Sequence, residues 1–199
     1  SSGVLFDGTS LKEWTLENTD ASKVMLKDGA IRFEKGFGWL RSNREFKDFV
    51  LTLEVRFLNG DANSGIFIRS AATSDREPAR DGVVRGWPDN AYAVQAREIG
   101  QDSPTATSPL AGRVMMTRGI APPPKEIGFD VDGVRRVFKP MGEWQRYEIE
   151  CVGPRVTVTL NGVVVAQAEI SRLSGHIGLQ GEVGVVEYRN ISIREVISK

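Results

Sequence analysis

The side chains with the clearest capacity for chemistry are an arginine, a histidine and two glutamates in or beside short strand-like segments. Arg69 has a fixed charge and a planar set of donors, which suit an electrophile or a clamp on a substrate. His176 is the only histidine of the chain, and its ordinary pKa of about 6.5 suits proton transfer. Glu98 and Glu182 are alternative bases, with plain surface charge as the competing interpretation. The sequence does not rank these three bases.

Further candidates are residues that could bind a substrate. Side chains alternate between the two faces of a strand, so Gln95, Arg97 and Gln180 are predicted to face away from the core. Their amides and guanidinium offer donors, and the amides also acceptors, for hydroxyl groups. Trp39 follows glycine and could stack on a ring, although a tryptophan in a β-sandwich is more often part of the core.

The stretch 48–70, DFVLTLEVRFLNGDANSGIFIRS, is the part around which the other elements are placed. Its two alternating segments are joined by a turn rich in Asn, Gly and Asp at 59–65, which predicts a strand pair. In that pair, Glu54 and Arg69 would share one solvent-facing surface. Glu54 is then a base, a group that orients Arg69, or an exposed carboxylate that forms an ion pair with it.

Composition favours one domain over residues 1–199 and excludes some partners. The chain has 199 residues, 40% of them hydrophobic, with 26 basic and 26 acidic side chains. No basic run indicates a nucleic-acid partner, and no apolar run approaches the roughly 18 residues of a membrane span. The lone cysteine, Cys151, cannot form an internal disulfide and is interpreted as a small buried hydrophobe.

The remaining pattern predicts an all-β protein, an antiparallel two-sheet β-sandwich or jelly roll. Short alternating segments follow one another, with a strong hairpin signal at Asn161-Gly162, and no long segment has helical periodicity. Irregular segments at 71–90 and 100–128 flank the strand at 92–98 and are predicted to wall a groove. The sequence Asp130-Val131-Asp132-Gly133 begins like a calcium loop, but the later ligands are missing, so it is interpreted as a turn.

Several phrases together resemble one family, the 3-keto-disaccharide hydrolase domain of concanavalin A-like lectin/glucanase fold. They are FDGTSLKEW, NSGIFIR, YAVQ, GEWQRYEIEC with LNG, and GHIGLQGE with EYRNISI, which span residues 6–193. The resemblance implies a jelly roll with a carbohydrate site on one sheet, whose strands would carry Glu54, Arg56, Arg69, Gln95, Arg97, His176 and Gln180. It also implies an exported protein, periplasmic or extracellular, of a bacterial glycan-degrading system.

The resemblance further implies chemistry on sugars that are already oxidised at C3. A base removes the hydrogen on C2, the enolate expels the aglycone from C1, and water then adds. The expected roles are enolate stabilisation by Arg69 and proton abstraction by His176, Glu98 or Glu182. Direct glycosidase chemistry would need two paired carboxylates, and the E-x-D-x-x-E motif of glucanases with a similar fold is absent.

One departure from the family pattern leaves alternatives open. The phrase YAVQ has Ala93 where the family more usually has glutamate, on the same face as Gln95, so a contact or a metal ligand would be missing. A non-catalytic carbohydrate-binding module is therefore the alternative function, and a structural or protein-interaction domain the third. A divalent metal such as calcium is a possible cofactor, and an oxidoreductase that produces the 3-keto-sugar is the expected functional partner.

Overall fold

The computed structural model describes residues 2–17, 24–34, 36, 38–71, 91–99, 110–117 and 122–197. These residues form two antiparallel sheets, which confirms the predicted all-β sandwich. The strands are β1 (Ser2–Phe6), β2 (Trp14–Glu17), β3 (Val24–Lys27), β4 (Ala30–Phe33), β5 (Gly38–Phe46), β6 (Phe49–Phe57), β7 (Asn63–Ser70), β8 (Tyr92–Arg97), β9 (Val114–Met116), β10 (Lys125–Phe129), β11 (Gln145–Val152), β12 (Arg155–Leu160), β13 (Val163–Glu169), β14 (Gly175–Val183) and β15 (Val186–Glu195), and the helix is α1 (Val131–Val137).

The two sheets differ in size. Within the described residues, the large sheet has the order β10-β13-β12-β11-β6-β15-β4-β3, with β1 also paired to β15, and the small sheet has the order β2-β5-β14-β7-β8-β9. Their inner faces form the main core. Alternation along β6 places Leu51, Leu53 and Val55 there, fully buried, as predicted from the sequence. The other face of each sheet is called its outer face below.

The predicted pairing of β6 with β7 is wrong. β6 pairs with β11 and β15 in the large sheet, whereas β7 pairs with β14 and β8 in the small sheet. Both strands have an apolar face, and both faces are buried when the chain crosses between sheets at 58–62 instead of folding back beside itself. Glu54 and Arg69 therefore share no surface. Glu54 instead accepts hydrogen bonds from Arg189 Nε, at 2.9 Å, and from Asn190.

Two further segments differ from the prediction. The irregular region 100–128 includes β9 and most of β10, and the predicted turn at Asp130 begins α1. Asp130 is the N-cap of this helix, because its carboxylate accepts a hydrogen bond of 2.8 Å from the Gly133 backbone amide. The predicted groove walls at 72–90 and 100–109 lie outside the described residues. No helix in the described ranges is long and apolar enough to span a membrane.

Candidate functional site

A row of polar side chains crosses the outer face of the small sheet. Gln180 on β14 lies opposite Gly65 on β7, and Gly65 lies opposite Gln95 on β8. Leu179 precedes Gln180 and Val94 precedes Gln95, and both of these apolar residues belong to the main core. Because side chains alternate along a strand, both glutamines point outward, as the sequence predicted.

Five residues of this face form what we call the polar cluster: Asn63, Gln95, Arg97, Gln180 and Glu182. Gln95 Nε2 donates to Asn63 Oδ1 at 2.7 Å, and Gln180 Nε2 donates to Glu182 Oε2 at 3.4 Å. Arg97 lies opposite Asn63 in the β7–β8 register. The polar cluster therefore combines a carboxylate, a guanidinium and three carboxamides.

Local backbone features place two members of the polar cluster. The pairing of β14 with β7 shifts between Gly181 and Val183, so Glu182 is the extra residue of a bulge, and a bulge reorients side chains. At Gly65, a Cβ atom would lie 2.6 Å from Gln180 Oε1. The glycine therefore leaves the space in which the Gln180 amide lies across the neighbouring strand.

An apolar cluster on the outer face of the small sheet includes Trp39, Phe67, Ala91 and Ala93. The Trp39 and Phe67 rings meet edge to face, with centroids 5.6 Å apart and an angle of 86° between their planes. Both side chains are fully buried. Of the two interpretations of Trp39, a buried ring is confirmed, and a ring that stacks on a substrate is wrong for this structure because protein atoms cover it.

Arg69 does not face a substrate site, which corrects its predicted orientation. The alternation of β7 breaks at a bulge opposite β14, where Arg69 has a φ of 49°. Its side chain is fully buried and donates to the backbone carbonyls of Lys47, Gly153 and Arg172 and, at 3.2 Å, to Asp48 Oδ1. Burial lowers the pKa of Arg69, and the nearby Asp48 carboxylate opposes this effect.

His176 is on the small sheet but outside the polar cluster. Its Nδ1 lies 2.7 Å from the Ser42 carbonyl oxygen and 3.4 Å from Arg41 Nη1. Its Nε2 lies 3.7 Å from Glu45 Oε1. It is four positions before Gln180 on β14, about 13 Å along an extended chain. The side chain is nearly buried, so His176 and Gln180 do not meet at one substrate atom.

Glu98 faces the interior rather than the polar cluster. It follows β8 directly, it is buried, and its backbone amide donates to the Ala62 carbonyl at 3.0 Å. Burial raises the pKa of Tyr147, a residue of the main core, and the Glu98 carboxylate adds to this effect. Of the three predicted bases, Glu182 is therefore the one that contacts Gln180.

The site also includes a residue that the sequence analysis did not select. Asn63 is two residues from Gly65 on β7, so it has the same orientation, and its side chain accepts the hydrogen bond from Gln95. Strand alternation applied to the phrase NSGIFIR would have identified it. For the divalent metal considered as a cofactor in the sequence, no three His, Cys, Asp or Glu side chains in the described part of the chain come together to hold an ion.

The comparisons with solved structures identify the fold. A candidate glycosyl hydrolase from Parabacteroides distasonis ATCC 8503 is 22% identical, with a TM-score of 0.69 over 98% of this chain and 100% of the other. The carbohydrate-binding module CBM66 from Bacillus subtilis is 15% identical, with a TM-score of 0.56 over 92% and 96%. The lumenal domain of VIP36, bound to Ca²⁺ and Man3GlcNAc, is 12% identical, with a TM-score of 0.60 over 100% and 89%.

The family is identified by sequence. A search of curated proteins found no match. The model of the 3-keto-alpha-glucoside-1,2-lyase-like domain, in contrast, matches residues 1–194. This match confirms the resemblance carried by the phrases from FDGTSLKEW to EYRNISI and indicates a function related to carbohydrates. The chain belongs to the 3-keto-alpha-glucoside-1,2-lyase-like domain family.

Proposed function

We propose that this protein cleaves 3-keto-glycosides by elimination, with the polar cluster as its active site. The observation that carries the proposal is the hydrogen-bonded pair of Gln180 and Glu182, which lies across Gly65 from Gln95 on one outer face. A base beside neutral hydrogen-bonding groups is what proton abstraction from a sugar requires. Family membership supplies the substrate class.

The proposed reaction begins with the hydrogen on C2 of the sugar. The C3 carbonyl makes that hydrogen acidic, and the Glu182 carboxylate accepts it as a proton. The electron pair of the C–H bond forms a C1–C2 double bond through the enolate, and the C1–O bond breaks. The aglycone leaves with the electrons of that bond and takes a proton from water, and the hydroxide that remains takes the proton from Glu182, which restores the base. Addition of water across the double bond then gives the free keto-sugar.

Arg97 is proposed to stabilise the enolate. Negative charge develops on the C3 oxygen in the transition state, and a fixed cation beside that oxygen lowers the barrier. Arg97 lies opposite Asn63 on the same face, whereas Arg69 is buried elsewhere. Gln95 and Gln180 are proposed to hold sugar hydroxyls, since carboxamides both donate and accept. The mechanism uses side chains of this chain alone.

A non-catalytic carbohydrate-binding module is the second candidate function. Ala93 favours it. This residue lies two positions before Gln95 on the same face and contributes only a methyl group to the apolar cluster, where the resemblance led us to expect a glutamate carboxylate. In that case the polar cluster would bind hydroxyl groups without removing a proton.

The test compares a 3-keto-glucoside with its unoxidised parent, with and without added divalent metal, and follows aglycone release. The proposed function predicts release from the keto form alone, since only that form has an acidic hydrogen on C2. Release from the parent at a similar rate would contradict elimination. Binding of both compounds without release from either would favour the binding module.

A further inference from the structure

Two tyrosines of the large sheet reach across the interior to the strands that carry the polar cluster. Tyr188 Oη on β15 lies 3.1 Å from the Gln180 carbonyl oxygen and 3.3 Å from that of Gly65. Tyr147 Oη on β11 lies 3.3 Å from the Gln95 carbonyl oxygen. The three carbonyls belong to the same cross-strand row. Both tyrosines therefore contact the backbone directly behind the polar cluster.

A buried serine extends this contact. The Ser64 hydroxyl lies 2.5 Å from Tyr188 Oη and donates to the Gln180 carbonyl. Ser64, Tyr147 and Tyr188 are almost completely buried. A buried hydroxyl without a hydrogen-bond partner destabilises a protein. The three hydroxyls therefore stabilise the backbone position in which the carbonyls of Gln95, Gly65 and Gln180 remain within hydrogen-bond distance.

The two tyrosine hydroxyls stay protonated, so each can always donate a hydrogen bond. Burial raises the pKa of Tyr147 and of Tyr188 far above neutral pH, so both keep their protons. Neither hydroxyl reaches the outer face, because both point between the sheets. Their effect on a substrate would be indirect, through the backbone of Gln95 and Gln180.

We propose that Tyr147 and Tyr188 are positioning residues for the polar cluster. By holding the carbonyls of Gln95, Gly65 and Gln180, they fix the spacing between the two glutamine side chains that are proposed to bind the sugar. This inference rests on the proposed function for its catalytic consequence. Its structural consequence, the placement of the two carboxamides, stands separately and has its own readout.

Tyr188→Phe is expected to lower kcat/KM about tenfold for a 3-keto-glucoside, mostly through kcat. The reason is that a displacement of active-site groups by about 1 Å can lower the reaction rate by up to a hundredfold. The ring and its edge contact with Phe33 remain. Tyr92→Phe is the matched control. Its hydroxyl is also satisfied, at 2.8 Å from both Ser171 Oγ and the Pro122 carbonyl, and contacts no residue of the polar cluster. The control should keep wild-type kinetics.

A second readout is independent of turnover. The side-chain NH₂ signals of Gln95 and Gln180, assigned by NMR with Gln95→Glu and Gln180→Glu, should move or broaden in Tyr188→Phe and stay in place in Tyr92→Phe. Ser64→Ala should move the Gln180 signal and serves if Tyr188→Phe does not fold. Unchanged signals and kinetics in the folded variants would overturn the inference. If the wild type has no turnover, the proposed function fails, and the NH₂ signals alone then decide whether the tyrosines position the two carboxamides.

Discussion

Glu182→Gln is expected to lower kcat for a 3-keto-glucoside by a factor of about 10² to 10⁴, the usual contribution of a general base. Glutamine has nearly the same shape, and its carbonyl oxygen can still accept the hydrogen bond that Gln180 Nε2 donates to the carboxylate. It cannot accept the proton from C2. The measurement is the initial rate of aglycone release, with circular dichroism to check the fold.

Glu45→Gln is the control for this prediction. Glu45 is exposed, and its carboxylate lies 3.7 Å from His176 Nε2, away from the polar cluster. Its replacement should leave kcat unchanged. If Glu182→Gln retains the wild-type rate, Glu182 is not the base. A loss of activity in Glu45→Gln instead would direct attention to His176, whose Nε2 this carboxylate faces.

Arg69→Ala is expected to lower the free energy of unfolding by about 3 to 5 kcal/mol, the usual cost of removing one partner from a buried ionic contact. The substitution would remove the donors to Lys47, Gly153 and Arg172 and leave Asp48 without its cation. These partners lie in three different connections between strands, so the arginine side chain links those connections to one another at one end of the sandwich. Urea unfolding, followed by tryptophan fluorescence, measures the change.

Arg155→Ala is the matched control for Arg69. The Arg155 side chain is 47% exposed and lies 3.5 Å from Glu169, and such surface pairs contribute at most about 1 kcal/mol. Its loss should barely shift the urea midpoint. A stable Arg69→Ala protein that has lost all turnover would contradict the structural role and restore the catalytic one.

Strand alternation predicted the outer-facing members of the site. Gln95 and Gln180 each alternate with apolar neighbours, and the structure buries those neighbours and turns both amides outward. The same reasoning placed Leu51 and Leu53 in the core. These results follow from a local rule, because the period of two residues along a strand does not depend on which strand lies beside it.

The predictions that failed depended on distant parts of the chain. Pairing of β6 with β7 was inferred from the turn residues between them, but the partners of β6 are β11 and β15, about 100 and 140 residues away. At Arg69, a bulge interrupts the alternation, and no residue type marks it. Glu98 is the exception, because alternation along β8 already puts it on the inward face with Val94 and Ala96.

The central claim, cleavage by elimination, is tested most directly by ¹H NMR of the reaction of wild-type protein with a 3-keto-glucoside in D₂O. The account predicts that the C2 proton signal of the sugar disappears at the rate of aglycone release, and faster than in a sample without protein. Release of the aglycone with the C2 proton retained in the sugar product would contradict it.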